Sequence, residues 1–211
     1  MTKLPRTLLQ IAGAPTTASP LHASVLVIID AQLEYTVGQL PLHGIDAAIA
    51  EAAKLLRLAR REGVPVIHIV QHSAPGRPVF DLSTRLVEIV PELTPVAGEE
   101  IITKALPNAF AGTSLETKLR AIAEATGRRE LILAGFMTHM CVSATSRAAL
   151  DLGFRNTVVA SATATRDLPD PLGGIVPADI VQRTALAELA DRFAIVVPDV
   201  DTLICPAADA A

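Results

Sequence analysis

The chain has 211 residues, a length that one α/β domain accommodates with a sizeable core. Lys and Arg total 18 against 22 Asp and Glu, a net charge of −4, and no basic stripe interleaved with aromatics occurs, which argues against a nucleic-acid partner. No apolar run approaches a bilayer span and the first twenty residues hold no secretory apolar core, so a cytoplasmic protein without membrane association is expected.

Residues 1–21 read as an N-terminal extension and 22–211 as a single domain, since no repeat, low-complexity tract or linker interrupts the remainder of the chain. Val25-Leu26-Val27-Ile28-Ile29 is apolar without alternation, the pattern of a strand buried on both faces, and it ends in Asp30. In an open α/β sheet ligands bind beyond the carboxyl ends of the strands, where Asp30 projects; a turn-capping Asp explains one such carboxylate equally well. Ile45, Ala48, Ile49, Ala52, Leu55, Leu56 and Ala59 then mark one face of a helix that Gly63 stops. Val64 to Val70 reads as the second strand. Residues 71–98, with Pro75, Gly76, Pro78, Pro91 and Pro95, read as an irregular segment.

After the short apolar run Ile101-Ile102, Lys104 is expected on a loop, where a lone Lys is normally a solvated charge. Thr113 and Glu116 have capping-box spacing, which starts a helix near Ser114 and carries it to about 126. Leu131 to Ala134 reads as a central strand that drops through Gly135-Phe136-Met137-Thr138-His139-Met140-Cys141-Val142 into a helix over about 140–152. A thiol at the start of a helix faces unpaired N–H groups and the positive end of the macrodipole, which favour a thiolate; a lone Cys is more often a small buried hydrophobe. Thr138 reads as an ordinary N-cap. A strand over Thr157 to Ala160, an irregular segment over 161–177 that suits a rim over the site or a subunit contact, a helix over 178–191 and a last strand over Ala194 to Val197 complete the chain. This alternation predicts a three-layer, doubly wound, mostly parallel sheet of about six strands flanked by helices. Cys141 and Cys205 are expected as free thiols.

Three motifs in order carry a resemblance: a hydrophobic strand ending Asp30-Ala31-Gln32, a Lys104 followed by Asn108-Ala109-Phe110 with Thr113 and Leu115, and Gly135-x-x-Thr138-x-x-Cys141-Val142. Together they resemble the isochorismatase-like cysteine hydrolase superfamily over about residues 22 to 204. The resemblance implies an isochorismatase-like fold and catalysis by Asp30, Lys104 and Cys141. Cys141 attacks a carbonyl, Asp30 takes the thiol proton and returns it to the leaving amine, and Lys104 stabilises the charge that builds. It further implies a thioester intermediate, an oxyanion hole from the backbone N–H groups of Met137 and Cys141, a cis peptide at Phe136-Met137, and a dimer or tetramer. Substrate contacts are expected from Gln32, Tyr35, Asn108, Phe110 and His139, all adjacent to the three catalytic positions.

Departures from relatives narrow the reading. Nicotinamidases of the superfamily carry an Asp-x-His pair with further metal-binding histidines, whereas here the interval between Asp30 and Lys104 holds His43, His68 and His72 without that pair. His68 and His72, four apart in and beyond a strand, lack helical chelate geometry, so no metal and no cofactor are expected. Leu33 stands where relatives place Asn. The expected activity is metal-independent hydrolysis of a small amide or related C–N bond. Two alternatives are set against it: isochorismatase-type vinyl ether hydrolysis, and a non-enzymatic redox-sensing or binding protein on the same scaffold.

Overall fold

Five successive apolar residues can all be buried only in a strand covered on both sides, and the first strand occupies the middle of the sheet for that reason. The computed structural model describes residues 4–204, so Cys205 lies outside the described residues. The elements in chain order are α1 (Leu8–Ile11), β1 (Ser24–Ile29), α2 (Ile45–Arg61), β2 (Val66–Gln71), β3 (Glu100–Lys104), α3 (Leu115–Thr126), β4 (Glu130–Phe136), α4 (Ser143–Asp151), β5 (Arg155–Ala164), the short β6 (Leu168–Pro169) and β7 (Ile175–Val176), α5 (Ala178–Glu188), β8 (Ile195–Val197) and α6 (Val200–Ile204). The main sheet has the order β3-β2-β1-β4-β5-β8, with all neighbours parallel.

The alternation of β1 divides the core. Leu26 and Ile28 pack with α2 residues such as Leu55 and Leu56, while Val25, Val27 and Ile29 pack with Leu115 and Leu119 of α3 and Ala149 of α4. Helices on both faces of a parallel sheet give the three-layer, doubly wound arrangement that the alternating strand and helix signals predict. The chain winds outward one way through β2 and β3, then returns to β4 beside β1 and winds the other way through β5 and β8. The strand order therefore reverses between β1 and β4, and a crevice opens outside their carboxyl ends. The N-terminal segment lies on this body: the Leu8 N–H donates to Asp191 Oδ1 and the Ser19 N–H donates to Thr157 Oγ1.

Four local expectations differ from the structure. Lys104 is the last residue of β3 and is 2 % exposed, not a solvated loop charge. Strand β5 continues to Ala164 after an irregularity in its pairing with β4, so residues 161–164 belong to the sheet. Residues Ala160-Ser161-Ala162-Thr163-Ala164 alternate Ala with Ser or Thr, but they hold none of the large β-branched apolar or aromatic side chains that mark a strand. The capping box at α3 does not form, because Thr113 donates to the Ala109 carbonyl and Glu116 pairs with Arg120. Thr138 does not cap its helix either; it is fully buried and donates to the Ala164 carbonyl. Among the described residues no helix is long and apolar enough to cross a membrane.

One backbone approach sets the geometry of the crevice. Gly135 of β4 lies opposite Ile29 in the register, with φ +113°, and a Cβ there would sit 2.0 Å from the Ile29 carbonyl oxygen. The close contact falls one residue before Asp30 and two before Met137. Gly135→Ala is expected to lose roughly 3 kcal/mol of stability in urea unfolding, by steric overlap with rigid backbone and an unfavourable φ. A loss below about 1 kcal/mol would show that β1 and β4 separate easily.

Candidate active site

The carboxyl ends of β1, β3 and β4 place three side chains in contact. Asp30 follows β1, Lys104 ends β3, and Cys141 sits in a π-turn over Thr138–Val142 between β4 and α4. Lys104 Nζ is 2.7 Å from Asp30 Oδ2, 3.3 Å from Cys141 Sγ and 2.7 Å from Gln71 Oε1. An ammonium has three N–H donors, and three acceptors meet it here. Asp30 has φ +49°, a conformation unusual for a residue other than glycine, and no backbone N–H among the described residues reaches either carboxylate oxygen.

Burial governs the protonation chemistry. It raises the Asp30 carboxyl to about 6, against the opposing pull of the Lys104 ammonium and the Cys141 thiol. Burial, with the Asp30 charge, pushes the Cys141 thiol up to about 12. This reverses the expectation of a thiolate favoured by the helix terminus: the resting sulfur is a thiol beside a base. The π-turn also alters the local backbone. The Met137 carbonyl accepts from the Met140 and Val142 N–H groups, passing over the Cys141 N–H that an α-turn would use. The peptide between Phe136 and Met137 is cis.

A cleft of about 300 Å³ opens over the sulfur, with Tyr35, Leu40, Phe80, Met137, Met140 and Arg166 among its walls. Of the expected substrate contacts, Tyr35 lies in this cleft, its hydroxyl raised well above its ordinary value by burial and then by the Asp30 charge. The other four point elsewhere. Gln32 is fully buried and held by backbone: its amide donates to the Gln71 and Val87 carbonyls, and its Oε1 accepts the Gln71 N–H. It thereby fixes Gln71, which in turn holds Lys104. Asn108 Oδ1 accepts the Phe110 N–H within its own turn, and Phe110 stacks on Phe154 with centroids 6.0 Å apart. His139 hydrogen-bonds through Nδ1 with Thr165 and faces a neighbouring pocket beside Ser143 and Glu188. Burial, then the Arg166 charge, lowers its pKa.

Three residues beyond the expected set complete the site: Gln71, Phe80 and Arg166. Gln71 ends β2 and Arg166 stands two residues past β5, the placement that marked Asp30, so the strand-end rule reaches both once the strand limits are known. Phe80 lies in the irregular segment and carries no sequence signal. Arg166 Nε is buried without a partner among the described residues. His68 is engaged by Glu99, at 2.9 Å, and Glu99 by Arg60, so that histidine is committed to a structural network. Among the described residues no group of three or more His, Cys, Asp or Glu side chains converges as a metal site.

These features define a doubly wound protein with a parallel sheet and with a carboxylate, an ammonium and a thiol in buried contact at the strand reversal. The isochorismatase domain model matches residues 24–199, and the chain belongs to the isochorismatase family. It is 39 % identical to a secreted isochorismatase effector of Verticillium dahliae, over 90 % of this chain and 95 % of that protein. A maleamate amidohydrolase of Pseudomonas putida is 35 % identical over 64 % of this chain and 68 % of its own length. The crystal structure of an isochorismatase from Pseudomonas putida superposes with a TM-score of 0.86 at 40 % identity, covering 92 % of this chain and 97 % of that one.

The protonation geometry gives a direct expectation. A base acts only above its pKa, so if Asp30 draws the thiol proton, the rate of Cys141 alkylation by iodoacetamide should rise as pH passes about 6. Asp30→Asn should remove that limb and slow alkylation on the order of 100-fold at pH 7.5. A single inflection near about 8.5, that of an ordinary thiol, would contradict the assignment.

Proposed function

We propose that this hydrolase cleaves a small amide or related C–N bond, without a metal, through a Cys141 thioester. The observation that carries the reading is the contact of one buried Lys104 ammonium with both the Asp30 carboxylate and the Cys141 sulfur. The sulfur attacks the carbonyl carbon as its proton passes to Asp30, and Lys104 steadies the charge on both. Backbone N–H groups of Cys141 and Met137 receive the oxyanion, a role supported by the π-turn that leaves the Cys141 N–H out of the bond to Met137. Collapse of the tetrahedral species expels the amine, protonated by Asp30, and leaves the acyl group on sulfur. Asp30, again a carboxylate, then draws a proton from water as the water attacks the thioester, the acid leaves, and Asp30 returns that proton to the expelled Cys141 thiolate.

The non-reacting part of the substrate meets an apolar wall and one cation. Arg166, whose buried Nε has no partner among the described residues, suits an anionic group on the same small molecule as the amide. The similarity to a maleamate amidohydrolase, named for a monoamide of a dicarboxylic acid, supports an amide that also carries a carboxylate.

The names of the isochorismatase relatives favour a second reading, vinyl ether hydrolysis, in which Asp30 with its raised pKa acts as the acid. The two readings part at the sulfur. Ammonia or amine release from a panel of small amides, ureides and carbamoyl compounds is expected to fall on the order of 1,000-fold or more in Cys141→Ala, with a mass increase on wild-type Cys141 equal to the acyl group in rapid-quench samples. Undiminished turnover in Cys141→Ala would reject the thioester route in favour of the acid-catalysed one. Arg166→Gln is expected to raise KM for anionic amides about 10-fold or more, with a smaller effect on neutral amides of equal size. Equal effects on both would remove Arg166 from substrate selection.

A further inference from the structure

Glu34 is a fully buried carboxylate, and no Lys, Arg or His among the described residues pairs with it. Removing an unpaired carboxylate from water is costly unless hydrogen bonds replace the lost solvent. Two backbone groups do so from two different segments. Glu34 Oε1 accepts the Gln39 N–H at 2.7 Å, and Oε2 accepts the Phe80 N–H at 3.1 Å. Each of those segments forms a wall of the cleft over Cys141, through Leu40 beside Gln39 and through Phe80 itself.

The backbone around this carboxylate is fitted to it. Phe80 has φ +54°, an unfavourable conformation for an aromatic residue, so something must hold it. Its N–H meets Glu34, its carbonyl accepts the Ser73 N–H, and its ring stands edge-on to Tyr35 with centroids 5.4 Å apart. On the other side, a Cβ on Gly38 would lie 2.6 Å from both the Glu34 carbonyl oxygen and its Oε1. Gly38 thus leaves the carboxylate room to reach the Gln39 N–H. None of these contacts touches Asp30, Lys104 or Cys141.

We propose that Glu34 is a positioning residue that sets the separation of the Leu40 and Phe80 walls, and so selects substrates whose non-reacting part is flat or compactly apolar. The inference rests on Cys141 being the reacting atom at the base of that cleft. A glutamine at position 34 has one acceptor oxygen and one amide nitrogen, so it can serve only one of the two N–H groups and turns a donor toward the other. One wall then moves while the catalytic contacts stay in place.

The test compares alkylation of Cys141 by iodoacetamide and by its N-phenyl derivative, whose ring must lie between the two walls. In Glu34→Gln the rate ratio of the phenyl reagent to the small one is expected to fall about tenfold, with the iodoacetamide rate and its pH profile retained. Gly38→Ala, which crowds the same carboxylate without changing any cleft side chain, is expected to shift the ratio in the same direction and serves if Glu34→Gln does not fold. A ratio equal to wild type in a folded variant, even with a lowered Tm, would reduce Glu34 to a merely structural group and overturn the proposal. If neither reagent modifies wild-type Cys141, the nucleophile reading fails on its own account. Amide hydrogen exchange then decides the Glu34 contacts: slow exchange at the Gln39 and Phe80 N–H groups supports them, and exchange at the rate of unprotected peptide overturns them.

Discussion

The buried contact between Asp30 and Lys104 is the constraint on which the site is built. Two charges taken from water attract each other strongly in a low-dielectric interior, yet their desolvation is repaid only where geometry is good and every remaining donor finds an acceptor. Lys104 meets that condition through Gln71 and the Cys141 sulfur, and Gln71 is in turn held by Gln32. Asp30 does not meet it so completely, and that incompleteness is chemically useful. A carboxylate with, among the described residues, a single paired cation and no backbone donor, raised to about 6, is able to accept and release a proton near neutrality. The same burial, with the Asp30 charge, pushes the Cys141 thiol up to about 12.

The parallel sheet explains how distant residues meet. Asp30, Gln71, Lys104, Met137 and Arg166 lie at or just past the carboxyl ends of β1, β2, β3, β4 and β5, one for each of five adjacent strands. Side chains at strand ends are carried by the most rigid part of the fold, which suits a site whose contacts must hold within a few tenths of an ångström. The reversal of strand order between β1 and β4 leaves no crossover above them, and the cleft occupies that gap.

The stretch that leaves β1 illustrates three uses of buried polarity. Asp30, Gln32 and Glu34 alternate with other residues along the chain, and all three are fully buried. Asp30 faces the ammonium and the thiol, Gln32 satisfies backbone at the end of β2 and at Val87, and Glu34 joins two loops of the cleft wall. A sequence motif of three buried polar residues therefore divides into one that contacts the ammonium and the thiol and two that bind backbone N–H and carbonyl groups.

What the sequence determined by itself was local and periodic. Uninterrupted apolar runs such as Val25 to Ile29 and Leu131 to Ala134 identify central parallel strands, because burial on both faces demands side chains of one character. The 3.6-residue repeat from Ile45 to Ala59 identifies α2, because only a helix gathers those positions on one face. The three motifs that hold Asp30, Lys104 and Cys141 pointed to one site through the resemblance to the isochorismatase-like superfamily. Tertiary structure alone decided what those residues and their neighbours experience. Burial depends on the whole packed molecule, so it took the fold to turn Lys104 from an ordinary loop cation into a sheathed one and to make Cys141 a resting thiol. It likewise took long-range contacts to draw Gln32 to the backbone of Gln71, 39 residues away, to place Phe110 on Phe154, and to bring Phe80 and Arg166 to the cleft. Partners so far apart along the chain meet only through the packing of the whole sheet, and no local periodicity encodes them.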